Sequence, residues 1–227
     1  MINKELSKRI ITSLLLFILL YLVFSYTYIL IVTLIIISII SWIEFHGLTS
    51  KIFSKNNFKS NILKLLIKAL SLIYLTLFSA LIFNVITQVE PNLKINMIYL
   101  FSICITSDIG GLIFGKIFKG KKLTRISPNK TISGSIGSFI LSLILIPFFY
   151  YFIEQFNSPS DLLLLTIIVS LSCQLGDLFI SYLKRKARVK DTGDLLPGHG
   201  GVLDRIDGIL FAIPIGMMTW VFLLTSI

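Results

Sequence analysis

The 227 residues are 55% hydrophobic and only 14% charged, with a mean hydropathy of +0.90, a balance that excludes an ordinary soluble globular protein. The formal net charge of +10 has the sign of a nucleic-acid-binding surface. Yet 20 of the 21 basic residues fall in four clusters separated by apolar runs, which argues against a nucleic-acid partner and for membrane topology.

A helix needs about 20 apolar residues to cross the hydrocarbon core. The apolar runs predict an all-α integral membrane protein, a polytopic bundle of about seven transmembrane helices near 10–24, 27–43, 66–87, 95–115, 134–153, 161–183 and 206–226. The first two spans could also be one broken hairpin with a very short turn at Ser25-Tyr26-Thr27. The first run has no small-residue cleavage site after it and apolar sequence resumes at once, so it reads as a span and not as a cleaved signal peptide. Lys4, Lys8 and Arg9 precede span one, and Lys51, Lys55, Lys59, Lys64 and Lys68 lie between spans two and three. Lys116, Lys119, Lys121, Lys122, Arg125 and Lys130 follow span four, and Lys184, Arg185, Lys186, Arg188, Lys190 and Arg205 follow span six. Only Lys94 lies on the other side, near Glu90, Glu154 and Asp161. The positive-inside bias therefore predicts a cytoplasmic N-terminus and three cytoplasmic basic loops, with the C-terminus outside. Attraction to anionic lipid or nucleotide phosphate is a second use for the same charge.

The polar stretch Thr49–Asn61 reads as a loop, with a short interfacial helix after it. His46, at the end of span two, reads as an interfacial residue. Cys104 and Cys173 fall inside spans four and six and read as packing residues.

Two carboxylates fall where the membrane should be dry. Asp108 lies in span four and Asp177 in the cytoplasmic half of span six. A carboxylate at a helix centre costs about 2.5–3.5 kcal/mol on insertion scales, so each either clasps a polar neighbour or faces a functional cavity. Ser181 and Lys184 follow Asp177 by four and seven residues, on one helix face. Gly176 beside it lets a substrate or another helix come close.

The loop after span six is the longest charged stretch. Lys184 to Lys190 continues the helix as a basic cluster, Asp191-Thr-Gly-Asp194 breaks it, and Pro197-Gly-His-Gly-Gly201 forms a tight turn. Backbone N–H groups in such a turn can cradle phosphate oxygens. Asp204 and Asp207 then open span seven. Helix capping accounts for one of them well, with Asp204 at the N-cap and Asp207 in the first turn. Three-residue spacing also puts both on one face, suited to an oxygen-ligated Mg²⁺ that bridges substrate phosphates. The only histidines are His46 and His199. His199 could be a proton donor to a leaving phosphate, a phosphate hydrogen-bonder or a turn-stabilising residue. A second polar cluster, Gly115–Gly134, places Lys130 and Thr131 at the entry to span five, where an anion site or a plain cytoplasmic loop would both fit.

These residues carry a resemblance. The order Ser-x-Leu-Lys-Arg from Ser181, then Lys190-Asp191-x-Gly193, then His199-Gly200-Gly201-x-x-Asp204-Arg205-x-Asp207 resembles the signature of the phosphatidate cytidylyltransferase family, or CDP-diacylglycerol synthases. Ser127-Pro-Asn-Lys-Thr131 with Gly134, the Asp108 region and Gly176-Asp177-Leu178 are similar to the family's other polar segments. The resemblance covers roughly 100–208. Ser133 and Ile180 depart from it, each standing where the family usually has Glu, and the chain has fewer N-terminal spans than many members.

The resemblance implies transfer of CMP from CTP to phosphatidate, giving CDP-diacylglycerol and pyrophosphate, at the cytoplasmic face of a bacterial cytoplasmic membrane. It implies N-terminal transmembrane helices over 1–95 and a catalytic transmembrane region with cytoplasmic polar loops over 96–227. Asp177, Asp204 and Asp207 would hold Mg²⁺, with Lys184, Arg205 and His199 as further catalytic residues. Lys130, Thr131, Ser181, Arg185, Lys190, Asp191, Gly200, Gly201 and Asp108 would bind substrate. A homodimer is suggested by the resemblance alone. The rival expectations are a CTP-dependent lipid or polyprenol kinase, an anionic-metabolite transporter, and a degenerate member serving as a scaffold.

Overall fold

The computed structural model describes residues 2–53, 57–88, 90–124, 126–127, 129–153, 158–198 and 200–225. Lys55, Arg125, Pro128, Glu154 and His199 lie outside the described residues, as do the side chains of Lys4, Lys8 and Arg9. The elements are α1 (Ile2–Ser25), α2 (Thr27–Ile52), α3 (Phe58–Thr87), α4 (Pro91–Phe118), α5 (Ile132–Leu143), α6 (Ile146–Phe149), α7 (Pro159–Lys186) and α8 (Leu203–Thr225). Among the described residues the only β pairing is two isolated bridges, Lys122 with Thr131 and Leu196 with Gly200.

Among the described residues six helical segments are long and apolar enough to cross a membrane, and the apolar part of α1, Ile10–Ser25, forms a shorter seventh. The helices outrun the predicted spans. α2 continues to Ile52 and α3 starts at Phe58, so the stretch expected as a loop is helical at both ends. No Gly or Pro occurs between Thr49 and Asn61 to stop either helix. The fifth span is instead broken, with Leu143 ending α5 and Pro147 in the first turn of α6. Proline has no N–H to donate and its ring crowds the preceding turn.

The chain divides into two compact units, Met1–Thr87 with Leu183–Ile206, and Gln88–Tyr182 with Asp207–Ile227. In the first, Tyr26 alone interrupts α1 and α2, and its extended backbone makes the very short turn the sequence predicts. α2 packs on α3 through a Ser38–Ser79 hydroxyl pair at 2.7 Å and a bond from the Trp42 indole N–H to the Lys68 carbonyl at 3.2 Å. Its buried apolar residues include Leu30 and Leu48 on α2 and Leu75, Phe78, Ile82 and Ile86 on α3. Ile35, Ile36 and Ile39 stay exposed, as expected of a helix that faces lipid.

In the second unit, α4 and α5 meet along a seam of small residues. A side chain at Gly110 would strike the Gly137 carbonyl, and one at Gly137 would strike Phe114. Close backbone approach of this kind is how helices pack without a hydrophobic driving force. Hydroxyls bridge the same region, Ser138 donating to the Ser107 carbonyl at 2.7 Å and Ser107 pairing with Ser170 at 3.0 Å. The Tyr99 hydroxyl meets Thr166 at 2.6 Å, so these buried polar groups are matched inside the protein. α7 and α8 touch through a second pair of glycines. Gly176 lies against the Asp207 carbonyl, and a Cβ at Gly208 would come 2.5 Å from the Cys173 sulfur. The close neighbour that Gly176 admits is thus α8.

Candidate active site

In the first unit the site is the loop between α7 and α8. The basic cluster does not continue the helix as far as expected. α7 ends at Lys186, and Arg188 turns into the left-handed region at φ +57°. The Val189 N–H then bonds the Lys184 carbonyl at 3.0 Å and the Arg188 N–H bonds that of Arg185 at 3.1 Å. This is the helix-terminating pattern normally built on glycine. The Pro197–Gly201 turn forms as the sequence predicts, with Gly198 at φ +78° and Gly200 at φ +80°. Leu196 and Gly200 exchange two backbone bonds across it, at 2.9 and 3.1 Å.

Asp204 is the hub of this loop. Its Oδ1 accepts from Lys184 Nζ at 2.6 Å, and its Oδ2 faces the Thr192 N–H at 2.8 Å, the Thr192 hydroxyl at 3.0 Å and the Gly201 N–H at 3.2 Å. The Lys184 and Asp204 side chains are only 14% and 5% exposed. A second acid completes the loop. Glu44 of α2 accepts the Thr192 hydroxyl at 2.7 Å, the Leu203 N–H at 2.9 Å and the Val202 N–H at 3.0 Å. Glu44 is buried and was not among the residues predicted from sequence. The available signal was the one that singled out Asp108 and Asp177: a lone acid, in Trp42-Ile-Glu44-Phe45, at the end of a long apolar run.

These contacts revise two expectations. The capping of α8 falls to Glu44, while Asp204 sits in the first turn. The N–H groups of residues 200–203 are donated to Leu196, Asp204 and Glu44, so they do not form an open cradle for phosphate. Arg185, Lys190, Asp191 and Arg205 are exposed in the same unit.

In the second unit, the loop before α5 doubles back, with the Leu123 N–H on the Lys130 carbonyl at 2.8 Å and the Ile132 N–H on the Lys121 carbonyl at 3.0 Å. Lys130 thereby reaches Asp177 of α7 as an ion pair, with side chains 26% and 31% exposed. The Ser181 hydroxyl donates to Asp177 at 3.3 Å, as the four-residue spacing predicts. Thr131 caps α5 by accepting the Gly134 N–H at 3.1 Å. Ser133, standing where the related signature usually has Glu, instead donates to the Lys119 carbonyl, and Ile180 is buried. Ser135 donates to Gln174 Oε1 at 2.5 Å, one turn before Asp177. Asp108 takes a weak contact from the Cys173 thiol at 3.8 Å, and Asp207 is 8% exposed with its Oδ1 on the Gly208 N–H at 2.8 Å. Cys104 and Cys173 are free and buried, as expected of packing residues.

Among the described residues no three His, Cys, Asp or Glu side chains gather as a ready metal cage. The acids present nonetheless suit a hard cation that keeps its waters, since Mg²⁺ is commonly held by one or two carboxylates plus substrate phosphates. Lysine ammonium groups already stand on Asp177 and Asp204, where positive charge is accepted.

The long apolar helices define a polytopic integral membrane protein. The cytidylyltransferase family matches residues 1–223, and the chain belongs to that family. Similar proteins include the phosphatidate cytidylyltransferase of Staphylococcus haemolyticus strain JCSC1435, 49% identical over 121 residues, covering 52% of this chain and 46% of that protein. That of Rickettsia typhi strain Wilmington is 42% identical over 133 residues, covering 56% of this chain and 58% of that protein. That of Staphylococcus aureus strain COL is 46% identical over 120 residues, covering 52% of this chain and 46% of that protein. The chain thus spans about half the length of the curated relatives it matches.

Proposed function

We propose that the protein transfers CMP from CTP to phosphatidate, forming CDP-diacylglycerol and pyrophosphate at the cytoplasmic face of a bacterial membrane. The observation that carries this reading is the convergence on Asp204 of Lys184, Thr192 and Gly201, all from the Ser181–Asp207 stretch. That stretch is also where the resemblance to the family is densest. Relatives named for this reaction, at 42–49% identity, support it further.

A phosphate monoester needs little base catalysis to attack the α-phosphorus of a nucleotide; it needs alignment and neutralised charge. A phosphatidate oxygen forms the new bond to that phosphorus as the α–β bond breaks and pyrophosphate leaves. The acids that would hold Mg²⁺, one or two to an ion, are Asp177, Asp204 and Asp207, and the ion would supply charge neutralisation on the transferring phosphates. Lys184, Arg185, Lys190 and Arg205 hold lipid and nucleotide phosphates by charge, with Lys130 and Thr131 assisting and Ser181, Asp191 and Asp108 lining the polar region. Gly200 and Gly201 let the loop turn close to its acids. His199 contributes a phosphate hydrogen bond in this scheme.

For the lipid tails, the first unit offers an apolar cleft of about 590 Å³, walled by residues such as Leu16, Leu19, Val32 and Ile36, with Arg205 at its lining. One cation beside a hydrocarbon wall suits a lipid phosphate with its acyl chain. Basic-loop placement argues for the cytoplasmic side, where CTP is. Assembly as a homodimer belongs to the same proposal and rests on the family resemblance. The test is Asp204→Asn and Asp207→Asn, made separately in purified protein. Each should abolish Mg²⁺-dependent CDP-diacylglycerol formation, and near-wild-type turnover in either would sink the metal assignment.

A further inference from the structure

We propose that Glu44 is the positioning residue of this site, an acid from α2 that fixes the loop before α8 and, through it, Asp204. Three loop donors converge on its two oxygens: the Val202 N–H at 3.0 Å, the Leu203 N–H at 2.9 Å and the Thr192 hydroxyl at 2.7 Å. Glu44 is 9% exposed, so these donors replace the water it has given up. Two loop glycines make room for it. A Cβ at Gly193 would come 2.7 Å from Glu44 Oε1, and one at Gly201 would strike both Thr192 Oγ1 and Glu44 Oε2.

The link to Asp204 runs through Thr192. Its hydroxyl lies between Glu44 Oε2 and Asp204 Oδ2, and its N–H is bound by Asp204 at 2.8 Å. One hydroxyl proton serves one acid at a time, so Thr192 ties the two carboxylates into a single network. Glu44 also takes the first N–H groups of α8, the ones that attract anions at a helix start. With that position filled by a protein carboxylate, substrate phosphate is left to the lysine and arginine side chains. Glu44 touches no substrate in this scheme; it acts by holding Asp204 in place.

The inference rests on Asp204 being an active-site acid, so its test has one arm that does not read activity. In the full chain, purified in lipid nanodiscs, Glu44→Gln keeps the shape but presents an amide to three donors. Hydrogen exchange followed by mass spectrometry should speed up at least about tenfold in peptides over 191–203 and stay unchanged over α4 and α5. Turnover with CTP and phosphatidate should fall on the order of 10²-fold. The Mg²⁺ concentration for half activity should rise, while KM for phosphatidate stays within about twofold. Glu44→Asp, which restores a carboxylate, should recover part of both. Unchanged exchange in Glu44→Gln overturns the clamp, and faster exchange with wild-type turnover and Mg²⁺ requirement overturns the positioning role. If Glu44→Gln does not fold, Gly201→Ala pushes on the same carboxylate from the loop side and is judged by the same two outcomes. If the wild-type protein makes no CDP-diacylglycerol, the proposed function falls and the exchange arm alone decides the clamp.

Discussion

Among the described residues each compact unit shows a lysine–aspartate pair, and the two are built differently. Lys184–Asp204 is nearly buried, at 14% and 5% exposure, and Asp204 has three further donors from the loop. Lys130–Asp177 is 26% and 31% exposed, and among the described residues Ser181 adds a bond to Asp177. A buried carboxylate surrounded by fixed donors is held in one geometry. A half-exposed one, paired with a flexible lysine, can exchange that lysine for another cation at little loss. Within the proposed function, Asp204 is then the acid held in one geometry and Asp177 the acid whose lysine can give way to another cation.

The two pairs should differ most in what loss of the lysine costs. Lys184→Met leaves Asp204 buried beside an apolar group, which should cost about 3–5 kcal/mol in unfolding free energy and eliminate activity. Next in size is Gly176→Val, which drives a side chain into the Asp207 carbonyl. Overpacking of that kind should cost about 1–3 kcal/mol, visible as a lowered Tm in detergent, because backbone must move to relieve it. Smallest in stability is Lys130→Met, expected within about 1 kcal/mol of wild type because the pair is partly solvated. Its turnover should nonetheless fall about 10²-fold if the ammonium serves the transferring phosphates. Equal destabilisation by Lys130→Met and Lys184→Met would erase the distinction between the two pairs.

Local spacing made much of this legible in the sequence. Asp177 and Ser181 are four apart on a helix and do bond, and the glycines at 198 and 200 do take positive φ. The membrane class follows from apolar runs, although α1 supplies a shorter apolar helix and Pro147 breaks the fifth span. What escaped was long-range. The Thr192–Glu44 bond joins residues 148 apart, and no periodicity announces such a partner. Lys130 was visible as an anion-binding candidate, yet its pairing with Asp177 depends on how the 121–132 loop doubles back. The lost phosphate cradle has the same origin, since sequence shows the N–H donors of a glycine turn but not the acceptors that fill them.

The proposed nucleotidyl transfer to a phospholipid stands or falls on the identity of its products. Purified protein is incubated with Mg²⁺, phosphatidate and each of the four nucleoside triphosphates in turn, while pyrophosphate and the lipid product are followed. Pyrophosphate and CDP-diacylglycerol should appear in equal amounts, and with CTP alone. Free CDP with a newly phosphorylated lipid and no pyrophosphate, or no turnover with any nucleotide, would contradict it.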